Sequence, residues 1–428
     1  YRLEDEMNFR GRPAVKRGTR TYTRRFSPRM THSGYELEKF PDAYMDQIAH
    51  AGMDAILVFI ADPPDVTRNG REDIPALIER ARVHGLDVYA YASFHEKAAK
   101  MHPLDPGARE YYDSLYGSIV RNAPGLKGLI CVGESCYFPE RGESPWKDGS
   151  AKPDRHNGWQ PHPDWAEFLK VVAKVTRRHN PDFDVVFWTY NWYCRPEKDR
   201  LALLERIPTN VTVHVTFEMG APAYEKDGVE FHVEDYSITE PGPGTTFVSE
   251  ARVCARRGIP LTSMANTGGR TWDFGGLAFE PVPQAWMVRF DRLKDAQARW
   301  GLKGLMDSHH YGFTPNVVAK VAKAVGPELE SEAKLFYATL MSISRSRQRA
   351  DLAEGSPFAE ELAAAIDRLL GCTLELVGDH AIKGWRQSRS WAKPQDVYFY
   401  AEFDSPIVNA EFADSATVRL SFADSQDK

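Results

Sequence analysis

Three carboxylates stand where predicted strands end. Glu134 lies in KGLICVGESCYFPERGESPW, residues 127–146, directly after the apolar run 129–132 and a glycine. Glu218 follows the run NVTVHVTF, and Asp307 lies in GLMDSHH. Cleavage of a glycosidic bond needs a protonated acid at the leaving oxygen and a second carboxylate, or a substrate group, at the anomeric carbon. The residue types therefore predict acid and base chemistry on a sugar.

Glu134 is the predicted general acid. The apolar strand before it would raise the pKa of its carboxyl group and keep it protonated near neutral pH. The alternative is a solvated loop charge. Glu218, two strands further around a barrel, is the predicted partner carboxylate, against the alternative of a hydrogen-bonded wall residue. Asp307 is the other candidate for the partner role, and it could equally bind a sugar hydroxyl.

Further polar and aromatic residues are expected at the same rim, where they would contact the sugar. In WTYNW, alternation along a strand would point Trp188, Tyr190 and Trp192 to one side and Asn191 to the other, although these rings could also be plain core. Aromatic residues, whose faces stack on sugar rings, make up 12% of the chain. The predicted substrate-binding residues are Arg29, Glu96, Trp188, Tyr190, Asn191, Trp192, Asp307, His309 and Tyr311.

A unit that repeats between residues 20 and 325 would position these side chains. Each repeat has a β-branched or aromatic run, a loop, and an amphipathic helix that ends at glycine or proline. Eight such pairs predict an α/β fold, the (β/α)8 TIM barrel, whose functional residues gather where the strands end. A doubly wound sheet is the competing fold, but no GxGxxG turn follows the first run. The predicted strands are 20–27, 54–61, 86–94, the start of 127–146, 183–192, 210–218, 259–265 and 302–308.

The pattern changes after the eighth repeat. We predict a catalytic barrel over residues 1–326, a helical linker over 327–371, and a β-rich module over 372–428 that need not be complete. Alternating residues in DVYFYAEFDSPIVNAEFADSATVRLSFAD predict antiparallel strands in that module.

The composition of the chain limits the kinds of partner that we expect. The net charge of -6 gives no basic footprint, so we expect neither nucleic acid nor a membrane as partner, and a glycan as substrate. No apolar run is long enough to cross a bilayer. Because the chain opens at Tyr1 without methionine, it could be a processed form, which would favour a secreted or periplasmic location. The oligomeric state stays open.

Two alternatives to a glycoside hydrolase remain. A non-catalytic carbohydrate-binding barrel would keep the groove without the acid pair. A metal-dependent barrel hydrolase could use the pair in SHHYGF, but it would need an HxH in the first strand, and RTYTRRFSPRMTH has none. We therefore expect neither a metal nor another cofactor.

The barrel resembles family-20-like glycoside hydrolases, the β-N-acetylhexosaminidase superfamily. The resemblance rests on YTRRFSPRMTH followed by FPDAYMDQIAHAGMDAILVF and covers residues 15–325. It implies that Arg29 is the sugar-binding arginine and that Glu134 is the general acid. In that family an Asp precedes the acid and steers the substrate's acetamido group, whereas this chain has Gly133. The departure implies an enzyme-borne second carboxylate, Glu218 or Asp307.

A second, shorter resemblance lies near the C-terminus. The stretch GWRQSRSWAKPQDVYFYAEFDSPI, residues 384–407, is similar to part of the β-sandwich of family-92 α-mannosidases. It implies an appended β-module in a carbohydrate context.

Overall fold

The computed structural model of the protein places most of the first 324 residues and five short strands beyond them. It describes residues 17–19, 24–32, 40–60, 73–92, 100–133, 136, 138–139, 164–192, 195–220, 224–226, 229–231, 237–238, 240–268, 271, 283–309, 312–313, 317–324, 373–376, 382–385, 401–403, 407–412 and 417–422.

Strands and helices alternate through the first three quarters of the chain. The strands are β1 (Arg29–His32), β2 (Ala55–Ile60), β3 (Asp87–Ala92), β4 (Gly128–Val132), β5 (Asp184–Trp188), β6 (Thr212–Thr216), β7 (Tyr224–Lys226), β8 (Val229–Phe231), β9 (Leu261–Met264), β10 (Leu302–Ser308), β11 (Thr373–Leu376), β12 (Ile382–Trp385), β13 (Ala401–Phe403), β14 (Ile407–Phe412) and β15 (Thr417–Phe422). The helices are α1 (Asp42–His50), α2 (Ile74–Val83), α3 (Ala108–Tyr112), α4 (Ser118–Asn122), α5 (Trp165–Arg177), α6 (Glu197–Leu204), α7 (Thr245–Arg257), α8 (Pro283–Trp300) and α9 (Val317–Ala324).

Eight parallel strands close into a barrel in the order β1-β10-β9-β6-β5-β4-β3-β2. Helices separate consecutive strands, so the predicted (β/α)8 TIM barrel is confirmed. No helix in the described ranges is long and apolar enough to cross a bilayer.

Seven of the eight barrel strands lie within their predicted ranges because they are continuous apolar runs, which is typical of strands buried on both faces. The prediction for the first strand is wrong. Within the predicted stretch 20–27, residues 24–27 form no strand, and β1 begins only after Pro28. The strand is hard to detect because it is the four-residue RMTH, with a charged, an apolar and two polar side chains.

Glycine ends the first two helices, as predicted. Gly52 and Gly85 have φ values of +84° and +74°, which side chains disfavour. The acids predicted for the first turn of α2 precede it instead, and Asp73 caps the helix by accepting a hydrogen bond from the Ala76 amide at 3.1 Å. A turn of π-helix at Asp113–Gly117 separates α3 from α4, where the periodicity predicts one helix.

The chain divides into two compact units. The first comprises Tyr1–Phe217, Thr246–Gly268 and Asp295–Pro315 and contains the barrel strands. The second comprises Glu218–Thr245, Gly269–Lys294 and Asn316–Lys428.

Two small sheets form in the second unit. One has the order β11-β15-β14, and the other has the order β13-β12-β8-β7. The predicted antiparallel pairing occurs between β14 and β15 and between β12 and β13, but β11 and β15 are parallel. In the second sheet β12 pairs with β8, a strand from the middle of the chain. The helices predicted over 327–371 lie outside the described residues.

Gly304 marks the place where the barrel closes. A Cβ atom built there would lie 2.7 Å from Pro28 O and 2.8 Å from Pro28 Cδ. The Leu305 amide donates to the same Pro28 oxygen at 2.8 Å, so the close approach is part of the seam between β1 and β10.

We expect Gly304→Ala to lower the free energy of unfolding by about 1–3 kcal/mol, because Pro28 cannot move without opening that seam. Gly18→Ala is the matched control, since a Cβ there meets nothing within 4 Å. Urea unfolding followed by tryptophan fluorescence measures both variants. Equal midpoints for Gly304→Ala and Gly18→Ala would contradict the prediction.

Candidate functional site

A buried ion pair joins the first and last strands of the barrel. Arg29 Nε donates to Asp307 Oδ2 at 3.0 Å, and Arg29 Nη2 donates to Asp307 Oδ1 at 2.7 Å. The backbone amide of Arg29 donates to Asp54 Oδ1 at 2.6 Å, which fixes the start of β1. This bidentate geometry is the strongest form of carboxylate–guanidinium contact, and it orients the guanidinium plane.

The segment after β9 supports the carboxylate of this pair. The Thr267 hydroxyl donates to Asp307 Oδ1, and the Gly268 amide donates to the Asp307 carbonyl at 2.6 Å. A Cβ at Gly268 would meet that carbonyl oxygen at 2.6 Å, so only glycine permits the approach. The side chain and the backbone of Asp307 are therefore both fixed.

Aromatic and imidazole rings meet inside the barrel. The ring of His309 lies 4.7 Å from that of His32 and 4.8 Å from that of Trp188, both nearly perpendicular to it. The His32 ring also contacts Phe59 at 4.6 Å and Tyr91 at 5.9 Å. Because β1, β5 and β10 are not all neighbours in the sheet, rings from them can meet only inside the barrel. These edge-to-face contacts hold His309 in one orientation.

Two members of this assembly keep some accessible surface. Arg29 is 8% exposed and His309 is 5% exposed, whereas Asp307, His32 and Trp188 are fully buried. A ligand could therefore touch the guanidinium and the imidazole, and the other groups would hold these two in position.

His214 extends the ring cluster deeper into the barrel. Its ring lies 5.2 Å from that of Trp188, and its Nδ1 lies 2.9 Å from Thr262 Oγ1. Burial lowers the pKa of His214 to about 3, so the imidazole is neutral at neutral pH.

The chain after β5 departs from the predicted alternation. The strand ends at Trp188, and residues 190–192 form a 3-10 turn. The Tyr190 ring contacts that of Trp188 at 4.8 Å, but the Trp192 ring lies 4.9 Å from Phe187 and 5.8 Å from Trp165 of α5. Phe187 points to the opposite face of β5 from Trp188. The expectation that all three rings share one side is therefore wrong, because the turn ends the period of two.

A buried charge cluster fixes this turn from outside the barrel. The Thr189 hydroxyl donates to Glu250 Oε2 at 2.7 Å, and Arg200 Nη1 donates to Glu250 Oε1 at 2.5 Å. Burial raises the pKa of Glu250, and the neighbouring Arg200 opposes that shift. The cluster ties the end of β5 to α6 and α7, so the positions of Trp188 and Tyr190 depend on it.

Glu218 lies in the second unit in an ion pair of its own. Its Oε1 accepts a hydrogen bond from the Ser237 amide at 2.9 Å, and its Oε2 lies 3.4 Å from Arg289 Nη2 of α8. Both charged side chains are fully buried. Arg289 also donates to the carbonyls of Ser237 and Glu240, so the ion pair with Glu218 fixes the backbone at these two residues.

Several predicted site residues cannot be compared with the structure. Glu134, Glu96 and Tyr311 lie outside the described residues, and only the backbone of Asn191, in the 3-10 turn, is described. His102 and Asp164 lie on either side of the segment that contains Glu134. His102 Nε2 lies 2.7 Å from Asp164 Oδ2, and the Leu104 amide donates to His102 Nδ1 at 3.0 Å.

Three residues of the assembly were not predicted. His32 was missed because the first strand was placed before it, and Thr267 was read only as part of a glycine-rich loop. His214 occupies an alternate position of an apolar run, and that spacing could have indicated an inward side chain. Among the residues described, no group of three or more metal-binding side chains occurs.

The chain matches no protein-family model and no curated protein. In structure it is similar to a glycoside hydrolase family 138 enzyme targeting pectin rhamnogalacturonan II, with a TM-score of 0.51 and 12% identity over 86% of this chain and 45% of that one. A family 5 broad-specificity endoglucanase from Clostridium longisporum gives a TM-score of 0.38 and 11% identity over 63% of this chain and 76% of that one. A D-psicose 3-epimerase from Clostridium cellulolyticum gives a TM-score of 0.36 and 14% identity over 80% of this chain and 98% of that one. At these identities the likeness concerns the fold, and the resemblances to families 20 and 92 stay predictions.

Replacing His214 by Gln should make the free energy of unfolding less sensitive to acid. The folded-state pKa of about 3 lies below the ordinary 6.5, so between these pH values the unfolded chain binds a proton that the folded chain does not. The destabilisation from His214 is therefore absent above about pH 6.5 and grows as the pH falls toward 3.

Urea unfolding at about pH 7 and about pH 4.5 measures this effect, because the two values lie on either side of the ordinary histidine pKa. The wild type should lose more stability between them than His214→Gln. Thr262→Val is the control: it keeps the buried imidazole and should keep the wild-type acid sensitivity. Equal losses in the wild type and His214→Gln would show that the imidazole is not held neutral.

Proposed function

We propose that the protein is a glycoside hydrolase that removes a terminal sugar from an oligosaccharide or glycan. The observation that carries the proposal is the Arg29 guanidinium, which Asp307 fixes between the first and last strands of a closed barrel and which keeps some accessible surface. Fixed donors of this kind suit sugar hydroxyls, because they cost little to order when the ligand binds. The family 138 enzyme with the same fold targets rhamnogalacturonan II, which is consistent with a glycan substrate.

Arg29 and His309 are the groups that we assign to sugar contact. Arg29 uses Nε and Nη2 on Asp307, and its Nη1 donors remain for a ligand oxygen. Trp188 contacts the His309 ring and Tyr190 contacts the Trp188 ring, so we assign both buried rings to supporting His309 rather than to stacking on the sugar.

Asp307 is assigned to positioning Arg29. Arg29 bonds both carboxylate oxygens of Asp307, and the Thr267 hydroxyl also donates to Oδ1, so this carboxylate is already committed. The partner role therefore stays with Glu218, which is also fully buried and whose Oε2 lies 3.4 Å from Arg289. Glu134 remains the proposed general acid, placed by sequence directly after β4.

The decisive test is Glu134→Gln, assayed on methyl glycosides of neutral hexoses, N-acetylhexosamines and hexuronic acids, because their alkoxide leaving group needs a proton. Loss of the acid should lower kcat by about 10²- to 10⁴-fold, while calorimetry should find unchanged sugar affinity. The matched control is Glu79→Gln on the exposed face of α2, which should behave as wild type.

Each other outcome has a distinct meaning. Sugar binding without turnover in the wild type would support a non-catalytic carbohydrate-binding barrel instead. If Glu134→Gln keeps wild-type turnover, Glu134 is not the acid. Glu218→Gln should lower kcat if Glu218 is the partner carboxylate. Neither binding nor turnover in the wild type would refute the proposed function.

Arg29→Lys should lower kcat/KM by about 10- to 100-fold, because an ammonium cannot bridge both oxygens of Asp307 and leave a planar pair of donors for the sugar. Arg24→Lys is the control. Arg24 is 56% exposed and touches the Asp54 carboxylate through one nitrogen, so its variant should keep wild-type kinetics. Thermal unfolding of both variants shows whether the barrel is intact. Unchanged kcat/KM in a folded Arg29→Lys protein would contradict the role of Arg29.

A further inference from the structure

Asn266 has an unusual backbone conformation at the end of a barrel strand. Two residues after β9, its φ is +52°, in the left-handed region that residues other than glycine seldom adopt. The turn lets the following residues reach Asp307: the Asn266 amide donates to Met306 O at 3.3 Å, and Thr267 and Gly268 then bond to Asp307. The backbone conformation thus has a structural reason, which glycine would satisfy without strain.

The side chain of Asn266 is not explained by that reason. Asn266 is 1% exposed, and within the described part of the chain its Nδ2 has no hydrogen-bond partner. A buried amide without a partner costs about 1–3 kcal/mol, and such groups in native proteins need an explanation. The backbone amide of Asn266 bonds to Met306 of β10, the residue before Asp307 in the Arg29–Asp307 pair.

We propose that Asn266 is a substrate-binding residue whose side-chain amide donates a hydrogen bond to one hydroxyl oxygen of the sugar that Arg29 holds. The inference rests on the proposed function and adds a residue to its site. Asn266 is joined by one peptide bond to Thr267, so the donor lies next to the group that fixes Asp307 and, through it, Arg29. A neutral donor beside a charged one would select which hydroxyl is recognised.

The test compares Asn266→Gly with Asn266→Asp, using the p-nitrophenyl glycoside that the wild type hydrolyses fastest. Glycine keeps the left-handed backbone and removes only the side-chain amide. The loss of one hydrogen bond should lower kcat/KM about tenfold. The melting temperature should stay the same or rise, because glycine adopts this backbone without strain. Aspartate offers an acceptor where a donor is needed, so its loss should be larger. Wild-type kcat/KM in Asn266→Gly would overturn the proposal, because the residue would then serve the backbone alone.

Monodeoxy analogues of the same glycoside identify the partner oxygen. Removing the recognised hydroxyl should lower kcat/KM for the wild type but not further for Asn266→Gly. If every deoxy position costs both proteins equally, no hydroxyl is coupled to Asn266 and the proposal fails. Absence of sugar binding and turnover in the wild type would instead refute the proposed function and this inference together, whereas an active wild type with a fully active Asn266→Gly refutes this inference alone.

Discussion

The paired contacts between Arg29 and Asp307 hold both the barrel and its candidate site. The two residues lie 278 positions apart, on the first and last strands of the closed sheet. Because β1 has only four residues, its backbone offers few ladder bonds, and side-chain contacts must complete the seam. A buried guanidinium is stable only when it is paired and hydrogen-bonded. The geometry that satisfies this requirement uses Nε and Nη2 of Arg29 on Asp307 and leaves Nη1 outside the pair.

Aromatic and imidazole rings occupy part of the interior of this barrel. TIM barrels commonly have layers of branched aliphatic side chains there. His32, His214, His309 and Trp188 meet there edge to face. Burial lowers the pKa of His214 and keeps its imidazole neutral, so this residue makes the layer sensitive to acid. The ring nitrogens of these histidines in turn give the barrel interior hydrogen-bonding groups that an aliphatic layer would lack.

Apolar runs, and glycines that end helices, predicted the fold closely, because buried strands and helix ends have local sequence signals. The sequence placed the first strand too early. The four residues that form it are mostly polar, and they form a strand because they pair with β10, which is distant in the chain. Trp192 was assigned to the wrong side because a turn cannot be read from alternation. Glu218 is predicted as a partner carboxylate, but its pairing with Arg289 depends on the later helix α8, and no local pattern reports that contact. The positions of the carboxylates are therefore easier to predict from sequence than their roles.

The sheet that joins β8 to β12 has a consequence for how the chain is made. Residues 229–231 leave the ribosome well before residues 382–385, which supply their neighbour. At bacterial or eukaryotic translation speeds, the roughly 150 intervening residues take about 10–30 s to synthesise. During that interval the edge of β8 is unsatisfied, and such edges attract other chains. Nascent polypeptides of this protein would thus need shielding until residues 382–385 have emerged, and a product that stops before them would be prone to aggregate.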